Sequence, residues 1–176
     1  MGAFVKGGGV KGGGLSRLDG WPEILAAHLR AAMAREFAWG AHDCCAFAAD
    51  GVLAMTGIDP IAPARGRYAD EKRAAVVVRD IGGAGVPEAA DVLLSAIGAP
   101  AIAPTFAQRG DLVLIDAPVF SAESLRAQNG LAGGVLRAET RGWCMGLIAL
   151  DGRVAVAAPM GLSFFPARQA ARAWSI

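Results

Sequence analysis

Histidine and cysteine are scarce in this sequence: two and three respectively among 176 residues. Three cysteines, two of them adjacent, give no disulfide framework and suit a reducing compartment at synthesis. With only His28 and His42 available, any chemistry that needs an imidazole has two candidates. No basic tract is present and the formal net charge is +1, so neither nucleic acid nor an anionic membrane surface is an expected partner. Although 54% of residues are hydrophobic, Arg79, Asp111 and Asp151 break the apolar runs well before the roughly 18 residues of a spanning helix. No membrane span is expected. The opening "MGAFVKGGGVKGGGLS" lacks the apolar stretch of a secretory signal, and Lys6 stands where a myristoylation motif has Ser or Thr. The Gly-rich segments lack the Gly-Lys-Ser or Gly-Lys-Thr of a phosphate loop.

The length suits one domain with appendages. Residues 1–19 read as a flexible Gly-rich arm, since two Gly triplets bury too little apolar surface to offset their backbone entropy. Helical periodicity begins at Trp21, and a first helix is expected over 22–35. A second starts after the good N-cap Asp43, carries Cys44, Phe47, Ala48, Val52 and Met55, and stops at Gly57. Two Ala-rich helices are expected over 69–80 and 87–97. The period then changes: "GDLVLID" (110–116), "WCMGLIAL" (143–150), "RVAVAAP" (153–159) and "LSFFP" (162–166) read as an antiparallel meander. Residues 117–142 exceed a hairpin loop and read as an insertion. "PARQAARAW" reads as a closing helix. Helices first and strands later make an α+β fold, with N-terminal helices packed on a small antiparallel meander.

The segment with chemical content is "EFAWGAHDCCAFAADGVLAMTG". A cysteine at a helix N-terminus has a route to reactivity, because unsatisfied amides and the helix dipole stabilise its thiolate. A cysteine peptidase also needs a histidine to take and return the proton. His28 falls on the apolar periodicity of the first helix and reads as a packing residue. His42, two residues before Cys44, reads as a capping or loop-anchoring group. Trp39 and Gly40 shape the turn into the Cys helix, Tyr68 and Arg67 fit surface packing as well as ligand contact, and Asp43 with Asp50 fits a solvated stripe better than an acid/base pair.

"HDCCAFAADGVLAMTG", followed by "RGDLVLI" and "GWCMGLIALDGRVAVAAPMGL", resembles the core of the NlpC-type cell-wall peptidases, a papain-like fold. The family pattern is Asp-Cys-Ser at a helix start, Gly-Asp-Leu opening a strand, and His-Val-Gly-Ile on the next strand. The chain is more similar still to a family of phage and gene-transfer-agent tail-associated proteins with an FAWGxxDCCxFAAD segment. The likeness covers residues 20–176, apart from the insertion. It implies that Cys44 falls on the nucleophile, beside Asp43 and His42, and that Cys144 replaces the histidine at the general-base position. Cys44 and Cys144 would then meet, with Cys45 adjacent. Three thiols and an imidazole form a conceivable zinc set, but adjacent side chains on a helix diverge by about 100°. Inert packing is therefore the expectation, with no cofactor. A disulfide between Cys44 and Cys144 would need oxidising surroundings.

Two functions follow from the resemblance. The first is a structural component of a phage-type tail tip: a degenerate, peptidoglycan-hydrolase-like pseudoenzyme, made in the bacterial cytoplasm and carried in the virion. Its partners would be hub or tail-tip subunits, contacted through the arm and the 117–142 insertion, and conceivably peptidoglycan. The second is an active thiol endopeptidase that opens peptidoglycan during genome entry.

Overall fold

The computed structural model describes residues 15–119 and 140–176. Residues 1–14 of the expected arm and 120–139 of the expected insertion lie outside the described residues. Four helices come first: α1 (Trp21–Ala32), α2 (Cys44–Thr56), α3 (Glu71–Ile81) and α4 (Val86–Ala96). Six strands follow: β1 (Ala101–Ile102), β2 (Leu112–Val119), β3 (Thr140–Ile148), β4 (Val154–Ala157), β5 (Leu162–Phe165) and β6 (Ala170–Trp174). They form one antiparallel sheet in the order β1-β6-β2-β3-β4-β5. The fold is α+β, as the order of the sequence patterns indicates.

Local signals explain where the helices stop. Asp43 caps α2 by accepting from the Ala46 amide at 2.8 Å, and Gly57 closes it in the left-handed region. Asp70 caps α3 in the same way through the Arg73 amide. α3 is amphipathic and buries Val77, whereas α2 buries most of its length. What lets α2 sink so far is small side chains. At Gly51 a Cβ would stand 2.3 Å from Leu147 Cδ1 and 3.1 Å from the His28 ring, so this glycine is where α1, α2 and β3 cross.

The sheet buries both faces. Leu112, Leu114, Met145, Leu147 and Trp174 pack with Leu25, Phe47, Val52 and Met55 beneath the helices. Val113, Ile115, Cys144, Ile148, Val154 and Val156 form a second cluster on the opposite face, against Ile102, Ala107, Phe165 and Ala167. This alternation is the period of two that a pleated strand imposes.

The expected closing helix is instead a short 3-10 turn, Ala167–Gln169, followed by β6. The Ala-rich composition favours a helix, but the free edge of β2 needs backbone partners and β6 supplies them from Leu112↔Trp174 to Ile115↔Ala170. Pairing puts Ala173 in one core and Trp174 in the other. Trp174 Nε1 donates to Asp91 Oδ1 at 3.2 Å, and Arg172 also binds Asp91, which ties β6 to α4. β1 is a further strand beyond the expected four.

β2 and β3 run to Val119 and Thr140, so both ends of the 117–142 segment continue the ladder. At the other end, residues 15–18 lie against the body: the Leu18 amide donates to the Met55 carbonyl, and Arg17 pairs with buried Asp111 at 2.6 Å. Among the described residues, no helix is long and apolar enough to cross a membrane.

Replacing Gly51 by Val should overpack the α1–α2–β3 crossing and lower unfolding free energy by about 1–3 kcal/mol. Denaturant titration reads this directly, and a midpoint equal to that of the wild type would refute the close approach.

Candidate functional site

The site is built on the N-terminus of α2. Gly40 turns the chain with φ of +72°, and a Cβ there would lie 2.2 Å from the Tyr68 carbonyl oxygen. The Trp39-Gly40 pair therefore does two things: it makes a left-handed turn and lets the Tyr68 backbone press against it. The Gly40 amide donates to Asp43 Oδ2 at 2.7 Å and the Ala46 amide donates to Oδ1, and Tyr68 lines the same pocket as Asp43. Burial raises the Asp43 carboxyl above its ordinary range, and the two amides and Tyr68 pull it back down. Burial and the neighbouring Asp43 charge push the Tyr68 hydroxyl strongly up, so Tyr68 stays a neutral donor.

Most of α2 packs beneath the helix-covered face of the sheet, but its first residue, Cys44, reaches the second cluster beside Cys144. Cys144 is paired opposite Ile115 and is 7% exposed. The two cysteines assigned by resemblance to the nucleophile and base positions thus do meet. Cys45 Sγ lies 4.0 Å from Cys44 Sγ, and Cys144 packs with Cys44 in the second cluster. The neighbouring Cys144 side chain first, and then Cys45, pull the Cys44 thiol well below the ordinary thiol range, against the opposing effect of burial. Cys45 and Cys144 move the other way: the neighbouring Cys44 side chain pushes each of them up, and burial adds to the rise.

The three sulfurs line a pocket of about 150 Å³ whose walls include Phe37, Trp39, Tyr68, Trp143 and Val86. Phe37 and Trp39 pack edge to face at 5.2 Å, and Trp143 is 45% exposed. A carboxylate oxygen of Asp43 and the sulfurs of Cys44 and Cys45 lie within 4.8 Å of one another. The sequence offered no sign that Tyr68, Phe37 and Trp143 share this pocket, because each comes from a different segment.

Neither histidine joins the cysteines. His42 is 1% exposed, sits edge-on to Phe47 at 5.9 Å, and neither ring nitrogen has a hydrogen-bond partner. It occupies the position before the N-cap and packs on the fourth residue of α2, the geometry of a hydrophobic staple. Burial, and then the Arg35 charge, lower its pKa, so it stays neutral. His28 stacks on Phe47 at 5.0 Å and its Nε2 donates to the Phe47 carbonyl at 3.0 Å. Both imidazoles are therefore spent on seating α2 against α1. Asp50 belongs to an ion-pair network instead, bound by Arg65 at 2.7 Å, and Arg65 also grips Asp59. Arg67 pairs at the surface with Asp80.

Because the Cys44 pKa is lowered, its thiolate should persist as pH falls through the ordinary thiol range, while Cys45 and Cys144 stay protonated. In reduced, chelator-treated protein at about two pH units below the usual thiol pKa of about 8.5, iodoacetamide should label Cys44 ahead of the other two. Peptide mass spectrometry gives the order, and equal or preferential labelling of Cys45 would refute it.

No curated protein and no solved structure matches the chain. A family model described as a domain of unknown function, DUF6950, matches residues 16–176. That span takes in the docked Arg17, all four helices and the whole sheet, and the chain belongs to this family.

Proposed function

We propose that the domain is an NlpC-like cleft kept without its hydrolytic base and used as a structural component of a phage-type tail tip. The observation that carries the loss of hydrolysis is the neighbourhood of Cys44: the pocket it lines has no imidazole among its described residues, and both imidazoles lie on Phe47. A peptidase base must take the nucleophile's proton and then return it to the leaving amine. Cys144, at the position implied for that base, offers a thiol in place of an imidazole, and its pKa is pushed up, chiefly by Cys44 and by burial.

The tail-tip assignment is supported by the sequence resemblance. On this reading the partners are hub or tail-tip subunits, met through residues 1–14 and the 117–142 segment, and the chain travels in the virion. Four aromatic side chains around the pocket suit it to an extended peptide or a glycan.

A competing reading, a thiol endopeptidase acting on peptidoglycan, is favoured by one feature: Cys44 lines a pocket and its thiol pKa is lowered by its neighbours Cys144 and Cys45. That enzyme would need its base from another subunit.

Purified full-length chain incubated with peptidoglycan should release no stem-peptide fragments by mass spectrometry. Release that disappears in Cys44→Ala would establish the endopeptidase instead. In purified particles the chain should be present as a tail protein, and deletion of residues 2–14 should lower its occupancy. Retention of the truncated chain at wild-type level would move the attachment elsewhere on the domain.

A further inference from the structure

Two of the chain's four tryptophans and its one tyrosine meet at a single pocket. Trp39 comes from the loop before α2, Tyr68 from the segment ahead of α3 and Trp143 from β3, and Phe37 completes the set. Phe37 and Trp39 stand nearly perpendicular, at 88° with centroids 5.2 Å apart, so they form a corner rather than a stack. Trp143 is 45% exposed and Asp43 only 2%. The pocket therefore has an aromatic side chain at the surface and a carboxylate in its buried wall.

The faces of aromatic rings carry negative charge density that attracts cations. Elsewhere in the chain that attraction is met from within: Arg17 lies over Trp21 at 4.2 Å and Arg153 over Phe164 at 4.6 Å. Among the described residues that line the pocket there is no Lys, Arg or His. The same lack leaves a phosphate or carboxylate ligand without a counter-charge. The positive end of α2 does not reverse this balance, because it amounts to about half a unit charge and the Asp43 carboxylate caps it.

We propose that the pocket is an aromatic cage for a methylated ammonium group, a cation brought by the ligand, with Asp43 as its counter-charge. The proposal narrows the reading of this pocket as a binding cleft and rests on it. Size and hydrogen bonding select the class of cation. The cavity of about 150 Å³ is of the size that admits benzene when its walls are apolar, and a trimethylammonium group has similar bulk. A primary ammonium carries three N–H donors and is strongly hydrated. Both Asp43 oxygens already accept an amide and most of the wall is apolar, so those donors would be buried without partners. Methyl groups remove the donors and spread the charge over apolar surface that packs on the rings.

The test uses the full chain, reduced, and three small probes: choline, its neutral carbon isostere neohexanol, and the primary amine ethanolamine. Calorimetric titration should show choline binding at least about tenfold more tightly than either of the others. In the unmutated protein the indole N–H resonances of Trp39 and Trp143 should move during the titration, while those of Trp21 and Trp174, which do not line the pocket, remain in place. This readout depends on no variant folding. Trp143→Leu should weaken choline binding about five- to thirtyfold. Asp43→Asn, which keeps a capping side chain, should bring choline down to the level of neohexanol. Equal affinity for choline and neohexanol would overturn the cage and leave an apolar cleft. Equal affinity for ethanolamine would overturn the methylated class, and choline that moves Trp21 or Trp174 instead would overturn the location. Absence of choline binding would overturn the cage as well; accompanied by stem-peptide release from peptidoglycan, it would remove the binding-cleft reading too.

Discussion

The buried carboxylate of Asp43 is the constraint on which the site depends. Its oxygens collect the Gly40 and Ala46 amides, so one side chain joins the incoming loop to the first turn of α2, with Tyr68 from the segment ahead of α3 lining the same pocket. An N-cap of this kind contributes about 1 kcal/mol to a helix. Its larger consequence is positional. With α2 fixed at its start, Cys44 is delivered to the sheet at the level of Cys144, and the aromatic side chains on either side of the loop become pocket walls. A carboxylate suits the position because its two oxygens each take one of the two amides, and these charge-assisted bonds offset the cost of burying it.

The rest of the architecture serves to bring α2 deep into the body. Gly51 allows helix, helix and strand to cross closely, and Phe47 packs against both imidazoles, one stacked and one edge-on. His28 and His42 are therefore part of the packing, and their neutrality suits it: each has its pKa lowered chiefly by burial. A comparable anchoring point lies beneath β2. Asp111 is buried and accepts from Arg17, the Gln108 amide and the Ile176 amide, which holds both ends of the domain to the strand that opens the sheet.

Chemically, the pocket is defined by unequal thiols. In apolar surroundings a sulfur is ordinarily kept protonated, yet the neighbouring Cys144 and Cys45 side chains lower the Cys44 thiol pKa while their own rise. Among the described residues that line the pocket there is no imidazole.

What the sequence determined by itself is local. Asp43 and Gly57 mark the ends of α2 because capping and left-handed closure act within a few residues, and the four strands from β2 to β5 are legible because alternation and turn residues are short-range signals. The pairing of Cys44 with Cys144 was readable only through resemblance, as no spacing rule connects them. Tertiary structure decided the remainder. β6 is a strand because β2 presents an edge to it, although its Ala-rich sequence favours a helix. Tyr68 belongs to the site because it lines the same pocket as Asp43, and His42 is excluded from it because its ring turns onto Phe47. The 4.0 Å between adjacent cysteine sulfurs likewise depends on side-chain torsions that no one-dimensional pattern encodes. In each case the deciding partner is distant in sequence or the deciding angle lies in a side chain, so the energy that selects it exists only once the chain has folded.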